Sequence, residues 1–178
     1  DHIIVRSLPK PFPTHHPFSH SINSPNSLVS KSTHSPIRQP TNMKPCIFCQ
    51  VAKGEAPSAK VMETEHAYAY LDINPNSRYH TLVIPKDHYV NIFDVSPEAM
   101  QAVMEITQQV CQLYREQLGI ENIQIITNAG AEAQQTVFHW HVHIVPRKAG
   151  DNLDIVWKTH PEWRKDFPEM LARLARSK

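Results

Sequence analysis

Hydrophobic positions divide the chain into residues 1–42, which show no period, and a remainder in which each apolar run keeps a strand or helix spacing. Residues 47–53 fit one or two helical turns, stopped by Gly54. Residues 60–62 and 67–71 read as strands around a turn at Thr64-Glu65, and 72–79, with Asn74-Pro75-Asn76-Ser77, as a loop. Residues 81–84 form an apolar strand ended by Pro85. Ser96 then offers an N-cap, Pro97 suits the first helical position and Glu98 favours the positive helix end. Val103, Ile106, Val110, Leu113, Tyr114 and Leu118 recur at three to four residues, and Gly119 marks the stop. Residues 123–127 and 136–145 complete the sheet, joined by the loop 128–135. The pattern predicts an α+β fold: an antiparallel sheet with one long helix packed on one side.

The first 42 residues hold seven of the fifteen prolines, eight serines, five of the twelve histidines and a single acid, Asp1. Segments such as Pro9-Lys-Pro-Phe-Pro13 hold neither helix nor ladder, so residues 1–42 are expected to be disordered and 43–178 to form the globular domain. The basic, serine-rich bias of the extension is similar to an organelle transit segment. A vector or translation artefact upstream of a natural start at Met43 fits equally, and both readings stay open. The rest of the composition narrows the class. With 18 basic and 17 acidic residues the chain carries no electrostatic footprint for nucleic acid. No apolar run approaches the roughly 18 residues of a membrane span. Three cysteines are too few, and odd in number, for a disulfide framework, which points to a reducing compartment and a cytoplasmic location, or an organelle if the extension is a transit segment.

Candidate chemistry concentrates in residues 138–147, Phe-His-Trp-His-Val-His-Ile-Val-Pro-Arg. In a strand, alternate side chains share a face, so His139, His141 and His143 line one side and Phe138, Trp140, Val142 and Ile144 the core side. The three imidazoles would stand about 7 Å apart, two strand rises. A strand needs no titratable rings, and Val or Thr would suit it better. Two histidines at i and i+2 can converge on one metal, but the outer pair, about 13 Å apart at the backbone, fits a mononuclear three-histidine site poorly. The central ring, His141, suits a nucleophile or general base near neutral pH. Cys46-x-x-Cys49 is half of a tetrahedral zinc site, although a redox pair or a chance pair has the same spacing. Cys111 falls on the apolar helix face and reads as core.

His139-Trp-His141-Val-His143-Ile-Val145 matches the pattern His-φ-His-φ-His-φ-φ, with φ apolar. Further ordered matches are Cys46-Ile-Phe-Cys49, Ala69-Tyr-Leu-Asp72-Ile73, His80-Thr-Leu-Val-Ile-Pro-Lys-Asp-His88, Asn128-Ala-Gly130, Gln135-Thr-Val-Phe-His139 and Val156-Trp-Lys-Thr-His160. Over about 115 residues the chain thereby resembles the histidine triad (HIT) family, in its bacterial-type Hint branch.

The resemblance implies a HIT-like fold, a two-fold dimer whose sheets continue across the axis, and a purine nucleotide substrate. It aligns His141 with the nucleophile that becomes nucleotidylated. His143, Asn128, Gln135 and Thr136 align with phosphate contacts, and Asp72, flanked by Ile73, with a ribose-binding carboxylate. An Asx-turn opening the loop at Asn74-Pro75 is the structural alternative for Asp72. Zinc-bearing members imply a structural ion held by Cys46, Cys49, His88 and His139, with His80 as competitor for the His88 place. The implied activity is hydrolysis of purine nucleoside phosphoramidates of the adenosine monophosphoramidate type. Hydrolysis of dinucleoside polyphosphates, or a nucleotide-binding regulatory module with little turnover, are the alternatives. One departure stands out: the family usually has a glycine before the Gln135 position, and here Gln134 occupies it. For the dimer the sequence adds Met100, Met104, Cys111 and Tyr114 beside the main helix stripe, a face wider than one sheet needs. Trp157, in the C-terminal arm, would reach the partner's nucleotide site.

Overall fold

A computed structural model describes residues 45–154 and 158–175. The expectations for residues 1–42 and for Trp157 lie outside the described residues. Five strands, β1 (Lys60–Glu63), β2 (Ala67–Leu71), β3 (Thr81–Pro85), β4 (Ile123–Ile126) and β5 (Val142–Pro146), form one antiparallel sheet in the order β1-β2-β3-β5-β4. The helices are α1 (Ile47–Ala52), α2 (Pro97–Leu118) and α3 (Phe167–Ala175). This is the expected α+β architecture.

Helix α2 begins and ends where its local signals lie. The Ser96 side chain accepts from the Ala99 amide, Pro97 stands at the start, and Gly119 closes the helix with φ 66°. A serine cap of this kind contributes about 1 kcal/mol. The helix lays Val103, Ile106, Val110 and Tyr114 on Ala67, Ala69, Val83, Trp140, Val142 and Ile144. Alanines on β2 give the helix a close seat, because a larger side chain there would lift it off the sheet. The opposite sheet face carries Tyr68, Tyr70, Leu82 and Ile84, covered by Phe48 and Val51 of α1. With both faces buried, the central strands read as apolar runs rather than as an alternation of apolar and polar positions.

Two expectations need correction. The strand assigned to 136–145 is β5 only, Val142–Pro146, so His139 and His141 precede it. The reason is a backbone partner outside the sheet: the Trp140 amide donates to the Tyr89 carbonyl at 2.6 Å. Phe138 is also not core but 51 % exposed, because the alternation of faces starts only at His139. The surplus apolar face of α2 is narrower than expected as well. Tyr114 is buried in its own core, and Met100 and Cys111 pack against it, which leaves Met104 and Leu118 exposed. Among the described residues no helix is long and apolar enough to cross a membrane.

Candidate functional site

Cys46 and Cys49 flank the first turn of α1, and His88 lies just beyond β3. The fold brings their donor atoms together with Nδ1 of His139, all within 4.8 Å of one another. The sulfur–nitrogen separations are 3.6 Å from Cys46 to His139, 3.4 Å from Cys49 to His139 and 3.3 Å from Cys49 to His88. Tetrahedral zinc with its usual bond lengths would set such edges at roughly 3.5 Å. The ring of His139 is oriented for this: its Nε2–H donates to the Pro85 carbonyl at 3.0 Å, which leaves the Nδ1 lone pair facing the sulfurs. Burial, then the adjacent Cys46, pushes the Cys49 thiol up to about 11, and burial holds His139 down to about 4. A thiol as reluctant to ionise as that of Cys49 needs a cation beside it to become a thiolate, as zinc provides. The donor set therefore fits zinc, and His80, elsewhere in the fold, is not part of it.

His141 is 4 % exposed and lies against Phe48, ring centroids 5.2 Å apart. Its Nδ1 is 2.7 Å from the His139 carbonyl oxygen. A carbonyl only accepts, so the hydrogen of the neutral ring is on Nδ1 and Nε2 carries a lone pair. Burial keeps this ring's pKa below the ordinary histidine value, which keeps that lone pair free at neutral pH. The backbone of His141 is held in turn by Thr127, whose hydroxyl donates to the His141 carbonyl at 2.9 Å. His143 follows on β5, its ring centroid 4.9 Å from that of His141. The rings are closer than strand rises imply, because the segment before Val142 leaves the sheet. Burial, then the neighbouring His141 and His80 rings, holds His143 down to about 4.

The remaining expected residues are placed unequally. Asn128 lies two residues beyond the end of β4, whose last ladder pair is Ile126 with His143. Thr136 is exposed, and neither it nor Asn128 makes a side-chain hydrogen bond among the described residues. Gln135 is different: its Oε1 accepts from the Gly130 amide, and its Nε2 donates to the carbonyls of Val90 and Val137. Those partners use both ends of the amide, so its side chain braces the loop 130–135 rather than standing free for a phosphate. Asp72 does form the Asx-turn, with Oδ1 accepting from the Asn74 amide at 2.8 Å, while Oδ2 faces His80 Nδ1 at 3.7 Å. Ile73 beside it is 84 % exposed.

Sequence reading missed Phe48, Tyr70 and Thr127. Phe48 contacts both His139 and His141. Its place between Cys46 and Cys49 was the signal available, since a metal pair fixes whatever residue it brackets. The Tyr70 hydroxyl is buried with no hydrogen-bond partner among the described residues, and burial, then Asp72 and Cys46, raises its pKa. Strand alternation alone gives no indication of that.

Gln134 adopts φ 67° and ψ 25°, the left-handed region that favours glycine. That conformation costs a residue with a Cβ about 1 kcal/mol, which explains the glycine preference noted at this place. Gln134→Gly is expected to raise the stability by up to about 1 kcal/mol net of glycine's chain entropy, whereas Gln134→Ala, which keeps the Cβ, leaves it unchanged. Chemical denaturation of the two variants checks this, and equal stability in both would refute it.

Comparison with known proteins adds an independent line. A family model described as "HIT domain" matches residues 53–150. "Protein hit" of Bacillus subtilis is 39 % identical over 133 residues, covering 74 % of this chain and 90 % of the relative. An adenosine 5'-monophosphoramidase of Schizosaccharomyces pombe is 36 % identical over 117 residues (65 % and 85 % covered). An adenylylsulfatase of Arabidopsis thaliana is 31 % identical over 145 residues (82 % and 72 %). The crystal structure of a HIT family member from Bacillus subtilis superposes with a TM-score of 0.70 at 34 % identity, covering 76 % of this chain and 98 % of that one. A zinc-bound histidine triad family protein from Mycobacterium smegmatis superposes with a TM-score of 0.59 at 37 % identity, covering 75 % and 98 %.

Proposed function

The chain belongs to the HIT domain family, and from that premise we propose that it cleaves purine nucleoside phosphoramidates through a nucleotidyl intermediate on His141. The observation that carries this reading is the Nδ1 hydrogen bond to the His139 carbonyl, which leaves Nε2 of His141 as a fixed lone pair. In the first step that lone pair forms a bond to the α-phosphorus. The phosphorus–nitrogen bond breaks, and its electron pair leaves on the amine, which takes up a proton from solvent, returned when the attacking water loses one in the second step. The His141 ring becomes cationic, and the carbonyl on its Nδ1–H stabilises that charge. Water then attacks phosphorus, releases the nucleoside monophosphate and restores the neutral ring. His143, whose ring centroid is 4.9 Å from that of His141, and Asn128 are assigned to donate to the phosphate, and Asp72, with Ile73 beside it, to hold the ribose diol. Zinc at Cys46, Cys49, His88 and His139 would supply cross-linking of α1 to the triad segment.

The name of the plant relative favours a second substrate for the same chemistry, an adenylyl sulfate whose leaving group is sulfate. Steady-state assays with adenosine monophosphoramidate, adenylyl sulfate and a diadenosine polyphosphate separate the readings. The phosphoramidate is expected to show the highest kcat/KM, and preference for either other substrate would reassign the leaving group.

A homodimer belongs to the same proposal. Among the described residues β4 is an edge strand, and Ile125 on it is 44 % exposed, so a two-fold continuation of the sheet there would pair the edge and cover the side chain. Light scattering is expected to give twice the chain mass at tens of micromolar, about where a weak dimer would still form. A monomer mass there would refute it.

A further inference from the structure

We propose that His80 is a positioning residue that fixes the tautomer of His143, with the main-chain amide of Asn76 as the anchor. The consequence for the reaction rests on the reading that phosphate sits beside His141; the tautomer itself does not.

The argument starts from the one group in the chain of contacts that cannot change its role. The Asn76 amide nitrogen is 3.1 Å from His80 Nδ1, and an amide N–H only donates. His80 Nδ1 therefore accepts, carries no hydrogen, and leaves the hydrogen of the neutral ring on Nε2. That Nε2 is 3.0 Å from His143 Nδ1, which must accept in its turn. The hydrogen of His143 is thereby forced onto Nε2, on the side of the ring away from His80. A cation at either ring would set N–H against N–H, and at 2 % exposure the His80 ring is shielded from bulk solvent that could relieve the clash. The competing arrangement, an Nδ1–H of His80 donated to Asp72, meets a separation of 3.7 Å, too long for a hydrogen bond.

Backbone structure sets up these contacts. Leu82 pairs with His143 across β3 and β5, so His80, two residues earlier, is a diagonal neighbour of His143 on the same face. The loop before it is tied by the Asp72 turn at Asn74 and by the His80 amide donating to the Ser77 carbonyl. Both ties hold the Asn76 amide at the Nδ1 edge of the His80 ring.

His143 thus presents an Nε2–H as a standing donor. It keeps that hydrogen throughout the reaction, since losing it would leave an imidazolate and the Asn76 amide has no proton to pass along. His143 is a hydrogen-bond donor to the phosphate and not the acid for the leaving group.

Long-range proton–nitrogen NMR correlation on the full chain with labelled histidine, without substrate, reads the tautomers directly. His143→Asn identifies the His143 signals by their loss. Nε2–H is expected on both His80 and His143 near neutral pH, and Nδ1–H or a cation on His143 overturns the proposal. Two substitutions extend the test. In His80→Gln an amide N–H replaces the donor, so His143 keeps its tautomer and kcat stays within about threefold of wild type. His80→Leu frees both tautomers and lowers kcat by about tenfold or more, with KM changing less. Equal losses in the two variants also overturn it. Absence of a covalently trapped nucleotide on His141 after a single turnover, with the tautomers as stated, would refute the catalytic reading alone. A nucleotide trapped on His141 with Nδ1–H on His143 would refute the tautomer lock alone.

Discussion

His141→Ala is expected to lower turnover of adenosine monophosphoramidate by at least about a thousandfold, while His143→Ala lowers it by about tenfold to a hundredfold. The two losses differ because the two rings do different things. Removing His141 deletes the lone pair that attacks phosphorus, and the remaining donors stabilise a transition state that no longer forms by that route. Removing His143 deletes one donor from a phosphate whose attack geometry is still set by the His141–His139 carbonyl bond of 2.7 Å. The loss at His143 is the size of one transition-state hydrogen bond. Steady-state kinetics with both variants at saturating substrate measure the difference. Equal losses would mean that neither ring is singled out as nucleophile.

The second large effect concerns the metal. Purified full-length protein is expected to hold about one zinc per chain, and Cys46→Ser to lower Tm by about 10 °C or more. The size follows from linkage: an ion bound a thousandfold above its Kd stabilises the fold by about 4 kcal/mol, which a broken site forfeits. The effect should fall on stability and far less on turnover at room temperature. Zinc on the four donors would tie α1 and the stretch after β3 to the start of the triad, whereas Nε2 of His141 is oriented by a backbone carbonyl. A chelator added to wild type should reproduce the Tm shift and leave Cys46→Ser unaffected. Metal analysis that finds no zinc in protein prepared without chelator would remove the site and leave a bare pair of thiols.

What the sequence disclosed divides by the range of the interactions involved. Helix α2 was legible to the residue, because Ser96, Pro97 and Gly119 act within one turn of its ends. The strand pattern before Val142 misled, since alternation cannot distinguish a ladder from an extended segment whose amide, at Trp140, bonds to the Tyr89 carbonyl. Phe138 was misplaced for the same reason. The half site Cys46-x-x-Cys49 was visible as spacing, but its partners stand 39 and 90 residues away from Cys49, where local pattern carries no information. Resemblance supplied His88 and His139, and the geometry brings them to the sulfurs. Gln135 reads as a phosphate contact by alignment, yet its amide braces Gly130, Val90 and Val137. The Asn76 amide was beyond reach of any residue pattern, because its direction depends on how the loop before β3 closes.

The central claim, a covalent nucleotide on His141, is open to one direct measurement. Full-length protein is mixed with radiolabelled adenosine monophosphoramidate for a single turnover and quenched in alkaline denaturant, which preserves a phosphorus–nitrogen bond to histidine. The adduct is then mapped by peptide mass spectrometry. Label is expected on the peptide carrying His141, at Nε2, and absent from His141→Ala. Label retained in His141→Ala, or full turnover with no adduct at any time point, would contradict the account.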